Sequence, residues 1–90
     1  MNELAHLIGH EVVLDTRTSY IYLGTLEGSA GDLITLREVD VHDMTDARGT
    51  KELYIMSARK LGIQRNRQRV HVLLREVISI SLLADVMVFE

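Results

Sequence analysis

The 90-residue chain is 47% apolar and 26% charged, a length and composition that predict one globular domain spanning residues 1–90. It contains no cysteine, which excludes disulfides, thiolate zinc sites and cysteine nucleophiles and is typical of a reducing compartment. The formal net charge is −3, and no apolar run approaches the roughly 20 residues that span a bilayer, so we expect a cytoplasmic protein without membrane contact.

The first half of the sequence predicts a short helix followed by three strands. Asn2–Ile8 begins with a capping Asn2 and is followed by Gly9, a residue typical of helix ends. Alternating residues then predict three strands, at His10–Asp15, Tyr20–Glu27 and Leu33–His42. Gly24 lies in mid-strand, where glycine permits a sharp bend, and the apolar parity switches at Arg37–Glu38, which indicates a β-bulge or a tight bend.

The second half predicts a helix followed by more strands. Thr50 precedes the helical segment Lys51–Leu61 as a candidate N-cap. The apolar stripe of this helix comprises Leu53, Tyr54, Ala58 and Leu61. A polar connector at Gln64–Gln68 leads to strands at Val70–Leu74 and Val77–Leu82, with Val86–Phe89 as a candidate final edge strand.

Two short motifs along this order of elements resemble those of the Sm/LSm family. The stretches that resemble the family's first motif are Leu7–Leu14, Tyr22–Leu26 and Leu33–Leu36, and Gly24-Thr25-Leu26 matches the family's Gly-x-Leu. The stretch that resembles the family's second motif is Val72–Ile80, where the family has an apolar strand, an Arg-Gly pair and another apolar strand. The resemblance covers most of the chain outside residues 43–69.

The resemblance implies a mainly β fold. We expect a small, strongly bent antiparallel Sm-like barrel with an N-terminal helix and an inserted helix between strands 3 and 4, assembled into a homo-oligomeric ring by strand-edge pairing. The family's RNA-base pocket is not carried over, because Ala30–Thr35 contains neither the Asn nor the aromatic residue that builds it. Glu76 also replaces the glycine beside Arg75. The chain therefore resembles a bacterial-type member that diverges from the RNA-pocket consensus.

A basic stretch is the strongest indication of nucleic-acid binding in the sequence. The segment Leu53–Arg75 contains no Asp or Glu. Within it Arg65, Arg67 and Arg69, here called the basic strip, alternate and would point to one side of an extended segment, as a phosphate-binding surface requires. The candidate RNA-binding residues are Arg59, Lys60, Arg65, Arg67, Arg69 and Arg75, together with Tyr20 and Tyr22, whose rings are able to stack on bases.

Each of these candidates has an ordinary structural interpretation. The basic strip fits a solvated connector, or a contact to Asp40, Asp43 or Asp46 of a neighbouring subunit. Tyr20 and Tyr22, two residues apart on one strand face, more often pack a barrel surface or a subunit contact than bind RNA.

No motif for catalysis or for a cofactor is present in the sequence. There is no nucleophile elbow and no phosphate-binding loop, so we predict that the protein is not an enzyme and has no cofactor. Asp40 and His42 would share a strand face, but two ligands do not define a metal site, and we predict none.

Two functions are consistent with these observations. The first is an Sm-like ring protein that binds RNA weakly through the basic strip. The second is an Sm-fold scaffold for protein–protein assembly that binds no RNA.

Overall fold

The computed structural model describes residues 3–45 and 49–89, which form a five-stranded antiparallel sheet and one α-helix. The strands are β1 (Glu11–Thr16), β2 (Tyr20–Ala30), β3 (Leu33–Asp43), β4 (Arg67–Leu73) and β5 (Val77–Leu82), and the helix is α1 (Lys51–Leu61). The order across the sheet is β4-β3-β2-β1-β5, and every neighbouring pair is antiparallel. The predicted mainly β architecture, with a helix inserted between the third and fourth strands, is confirmed.

The N-terminal helix is a single 3₁₀ turn, Ala5–Leu7, and is shorter than the predicted Asn2–Ile8. The chain leaves the helix early because it already pairs with β2: the Gly9 amide donates to the Leu26 carbonyl at 2.8 Å. Gly9 has a φ of +87°, a conformation that favours glycine. The predicted cap, Asn2, lies outside the described residues.

Apolar side chains are buried on both faces of the bent sheet. Strand β2 places Leu26 and half-buried Tyr22 in one cluster, whereas Ile21 and Leu23 lie in a second cluster on the other face. The largest fully buried side chains are Leu14, Ile21, Leu23, Leu26, Ile34, Leu36, Val12 and Val39. Because burial of one such side chain is worth about 1.5–3 kcal/mol, these two clusters are the main source of stability.

Gly24 lies opposite a bulge in the neighbouring strand. Two residues of β3, Glu38 and Val39, face the single residue Gly24 of β2. Glu38 has a φ of +52°, in the left-handed region, where the extra residue of the bulge is accommodated. A Cβ atom on Gly24 would lie 3.1 Å from the Arg37 carbonyl oxygen, so a side chain has little room there. The bulge predicted at Arg37–Glu38 is therefore confirmed.

Helix α1 has the predicted bounds and is attached to the β1–β2 turn. The Thr50 hydroxyl caps it by accepting a hydrogen bond from the Leu53 amide at 3.2 Å. The Lys51 ammonium donates to Asp15 at 2.7 Å and to the carbonyl of Thr18 at 2.8 Å. These contacts position the first turn of the inserted helix on β1. Within residues 3–45 and 49–89, no helix is long and apolar enough to cross a membrane.

The predicted apolar stripe of α1 is only partly right. Ala58 is buried as expected and Tyr54 is half-buried, but Leu53 and Leu61 are 57% and 80% exposed. Ile55, which was not assigned to the stripe, packs with Ala58 into the second cluster. The buried face of α1 therefore differs from the predicted one, because Ile55 and Tyr54 make the contacts to the sheet.

The C-terminal part differs from the prediction in the bounds of β4 and in the final segment. A 3₁₀ turn, Leu74–Glu76, separates β4 from β5, and β4 begins earlier than expected, at Arg67. The edge strand predicted at Val86–Phe89 is wrong, because no strand forms there. Instead the Val86 amide donates to the carbonyl of the buried Leu83 at 3.1 Å, and Val86 packs against the second cluster.

Candidate nucleic-acid and subunit interfaces

The predicted RNA-binding cations lie in three places: the last turn of α1, the connector into β4 with the start of that strand, and the turn between β4 and β5. These places hold, in that order, Arg59 and Lys60, then Arg65, Arg67 and Arg69, then Arg75. Only Arg67 and Arg69 share a strand, where alternation directs both to one face.

Acids of the same chain partly neutralise the basic strip. Arg69 forms a two-pronged ion pair with Glu27, with Nε–Oε1 and Nη2–Oε2 distances of 2.9 and 3.1 Å. The hydrogen bond from Arg69 holds the pKa of the Glu27 carboxyl below its ordinary value. Two weaker contacts join Arg65 to Glu38 at 3.9 Å and Arg75 to Asp32 at 4.0 Å.

The acids expected to pair with a neighbour's arginines are largely engaged within the chain. Asp40 is buried, and its carboxylate accepts hydrogen bonds from the Tyr54 hydroxyl and, at 3.4 Å, from the Asn66 side chain. Asp43 accepts from one serine and one threonine hydroxyl, both at 2.7 Å. Asp46 lies outside the described residues. The predicted contact between Asp40 and the arginines of a neighbouring subunit is therefore wrong, because the Asp40 carboxylate does not reach the surface.

Asn66 fixes the connector that carries the basic strip. Its backbone amide donates to the Val39 carbonyl at 2.8 Å. Its side chain accepts from the Val41 amide at 3.0 Å and donates to the Val41 carbonyl at 2.9 Å. A side-chain amide thus replaces a peptide group of the neighbouring strand. The positions of Arg65 and Arg67 on either side of it follow from this anchor.

Two further basic residues, which the sequence analysis missed, lie beside Arg69. Arg37 is directly opposite Arg69 on β3, and His71 follows two residues along β4. Like charges directly opposite each other are destabilising, and Glu27 is the acid that pairs with this surface. We call Arg37, Arg67, Arg69 and His71 the outer basic face. The alternation of side chains along β3, next to its bulge, is the sequence pattern that predicts the face on which Arg37 lies.

The two candidate stacking tyrosines interact with each other. The rings of Tyr20 and Tyr22 lie 6.3 Å apart between centroids, with an interplanar angle of 23°. Tyr22 packs against the cluster that contains Leu26. The pKa of its hydroxyl is raised, first by burial and then by the neighbouring Tyr20. This geometry is that of a packed pair, in which Tyr20 is the more exposed partner.

Both residues of the candidate metal pair, Asp40 and His42, make contacts with Tyr54. Asp40 is buried beneath α1, whereas the His42 ring stacks on Tyr54 at a centroid distance of 4.2 Å. No group of three or more His, Asp or Glu side chains suited to a metal ion occurs in the described ranges.

The hairpin that corresponds to the family's RNA pocket has other contacts. Ala30 pairs with Leu33 around a two-residue turn in which Gly31 has a φ of +57°. Beyond it the Thr35 hydroxyl and the His71 Nδ1 atom are 2.9 Å apart, within hydrogen-bond distance. Thr35 therefore interacts with β4.

The two ends of the sheet order are the candidate subunit interfaces. Strands β4 and β5 each pair with one neighbour, β3 and β1 respectively. Ile78 of β5 is 60% exposed, and Leu73 and Leu74 at the end of β4 are about 40% exposed. Open edges with apolar side chains favour pairing with another strand.

Comparison with known proteins adds a fold assignment. No protein-family model and no curated protein matches the chain. Among solved structures, it is similar to the Sm protein of Pyrococcus abyssii in complex with a uridine heptamer, with 11% identity over 88% of this chain and 90% of that chain, and a TM-score of 0.61. It is also similar to a chain of the NatC complex bound to CoA, with 17% identity over 91% and 86% and a TM-score of 0.57. A chain of the NatC complex bound to Gag peptide and CoA gives 18% identity over 87% of both chains and a TM-score of 0.55. The chain therefore has the Sm fold that its sequence motifs predict.

Proposed function

We propose that this protein is an assembly subunit whose copies join through the free edges of β4 and β5 into a homo-oligomeric ring. The observation that carries the proposal is the sheet order, in which the described residues leave one hydrogen-bonding edge of each of these two strands open. A strand edge of one copy that pairs with a different edge of the next makes a head-to-tail contact, and such contacts form a ring when the rotation from copy to copy closes.

The side chains at these edges support the proposal. Pairing at β5 would cover Ile78, and pairing at the end of β4 would cover Leu73 and Leu74. Burial of apolar area is worth roughly 25 cal/mol per Å², which favours association of a small domain. Two of the similar structures are chains of the NatC complex, which fits a fold used in assemblies.

The β5 edge is tested by the substitution Ile78→Lys. A charge on an edge strand opposes pairing with another strand, so we expect the mass in solution to fall to that of a smaller species. The matched control is Ile8→Lys, which places the same charge at a 43% exposed isoleucine outside β4 and β5. Light scattering at micromolar concentration measures both. A parent protein that is strictly monomeric contradicts the ring.

RNA binding is the second candidate function, and the outer basic face favours it. Arg37, Arg67 and Arg69 place three guanidinium groups on one surface, where Glu27 pairs with Arg69. A ring would repeat this surface in every copy, so weak phosphate contacts would add through multivalency. The similar Sm protein is in complex with a uridine heptamer, but the residues of the family's base pocket are replaced here. We therefore rank RNA binding below assembly.

A further inference from the structure

The outward side of α1 exposes apolar side chains that the described parts of the chain leave uncovered. Leu53 and Leu61 are 57% and 80% exposed, and Phe89 of the C-terminal segment is 73% exposed. Together with Met56 they line a groove of about 280 Å³. A contiguous apolar groove of this kind marks an interaction site more often than an isolated exposed leucine does.

The charges of α1 indicate what fits against this groove. Glu52 lies in the first turn, and Arg59 and Lys60 lie in the last. Glu52 and Arg59 are separated by about two helical turns, so both lie on one flank of the helix. Neither has an ion-pair partner among the described residues. A flank with opposite charges at its two ends is complementary to an antiparallel copy of itself.

We infer that α1 is a twofold contact site for a second copy of this chain. The two helices run antiparallel, and the axis passes between Ile55 and Met56, midway between Glu52 and Arg59 in the sequence. Each copy covers the other's apolar groove, and Glu52 of each copy pairs with Arg59 of the other. The contact uses neither β4 nor β5, so it goes beyond the proposed ring and does not depend on it.

Reciprocal charge reversal tests the contact. Glu52→Lys makes both ends of the flank positive, and Arg59→Glu makes both ends negative. We expect each variant alone to have half the mass of the parent, because like charges then oppose each other at both ends. An equimolar mixture should recover the parent mass, because each lysine at position 52 then meets a glutamate at position 59.

Two controls separate the contact from effects within one chain. Both substitutions oppose the helix dipole, so their effects on the stability of α1 accumulate in the double variant, whereas the contact is restored in it. Glu11→Lys, an exposed charge reversal on β1, should leave the mass unchanged. A mixture that stays at the lower mass, or single variants that keep the parent mass, overturns the inference. If the strand edges do not associate, the same substitutions convert a dimer into a monomer, so failure of the ring leaves this test intact.

Discussion

The backbone of β3 passes so close to Gly24 that a hydrogen atom is the side chain best accommodated at this position. A Cβ atom there would meet the carbonyl oxygens of Arg37 and Glu38 at 3.1 and 3.3 Å. These are backbone atoms of a bulge, which cannot move aside like the end of a flexible side chain. The neighbouring Glu38 already has a φ of +52°, so further displacement would add to an unfavourable conformation.

We expect Gly24→Val to lower the free energy of unfolding by more than about 1 kcal/mol, the scale of a packing or backbone defect. Gly28→Val is the matched control, because Gly28 lies in the same strand and a Cβ atom there has no neighbour within 4 Å. Urea unfolding of both variants measures the difference. Equal losses of stability in the two variants would contradict a special requirement at position 24.

At the scale of the secondary-structure elements, a side-chain hydrogen bond joins α1 to β3. The Tyr54 hydroxyl donates to the buried Asp40 of β3. The pKa of the Tyr54 hydroxyl is raised above its ordinary value. Burial is the larger cause, and the hydrogen bond to Asp40 is the next. Because the folded protein holds this proton more tightly than the unfolded chain does, the contribution to stability is present below a pH of about 10 and is lost as the pH rises further.

Tyr54→Phe should therefore make the stability less sensitive to alkaline pH. The parent's free energy of unfolding should fall between pH 9 and pH 11.5, and the variant's should fall less over the same range. At neutral pH the variant should be less stable by about 1–3 kcal/mol, because Asp40 loses a donor while buried. Tyr22→Phe is the control, as Tyr22 also has a raised pKa but does not bond to Asp40. Parallel pH curves for parent and Tyr54→Phe would refute this account.

The sequence predicts an element well when residues within or next to that element determine its ends. The bounds of α1 follow from a capping Thr50 and a terminal Gly62, whose φ is +96°. The face that α1 buries depends instead on Asp40 and the second apolar cluster, which are distant in sequence. For this reason the periodicity of the helix alone assigned Leu53 and Leu61 to the core, although both are exposed.

At the scale of the whole molecule, the basic strip distinguishes the two candidate functions. If the protein binds RNA, replacing Arg65, Arg67 and Arg69 together by glutamine should remove most of the affinity and leave the oligomer mass unchanged. Binding by the parent should also weaken steeply with salt and show little sequence preference, because phosphate contacts release counterions. Fluorescence anisotropy with oligo-U and a mixed-sequence RNA, at two salt concentrations, measures this.

An exposed arginine outside the strip is the control for the triple variant. Arg17→Gln removes a 64% exposed side chain that pairs with Glu76, and should leave RNA binding intact. If the triple variant instead lowers the oligomer mass, the arginines serve a subunit contact. If neither affinity nor mass changes, the strip is a solvated connector and has neither function.

The sequence predicted the basic strip but not the contacts around it. Alternation was sufficient to place Arg67 and Arg69 on one face. Their relation to Glu27 and Arg37 depends on the register of three strands, which no local pattern contains. The same limit applies to Asp40, whose burial depends on α1 and Asn66.

The side chain of Asn66 also restricts where a foreign strand can add to this protein. Past the end of β4, the amide and carbonyl of Val41 would face an incoming chain, but Asn66 satisfies both. Unpaired peptide groups at a sheet edge are templates for aggregation, and a bonded edge no longer is. Asn66 therefore blocks strand addition at Val41 of β3, which leaves the edges of β4 and β5 for the pairing that we propose.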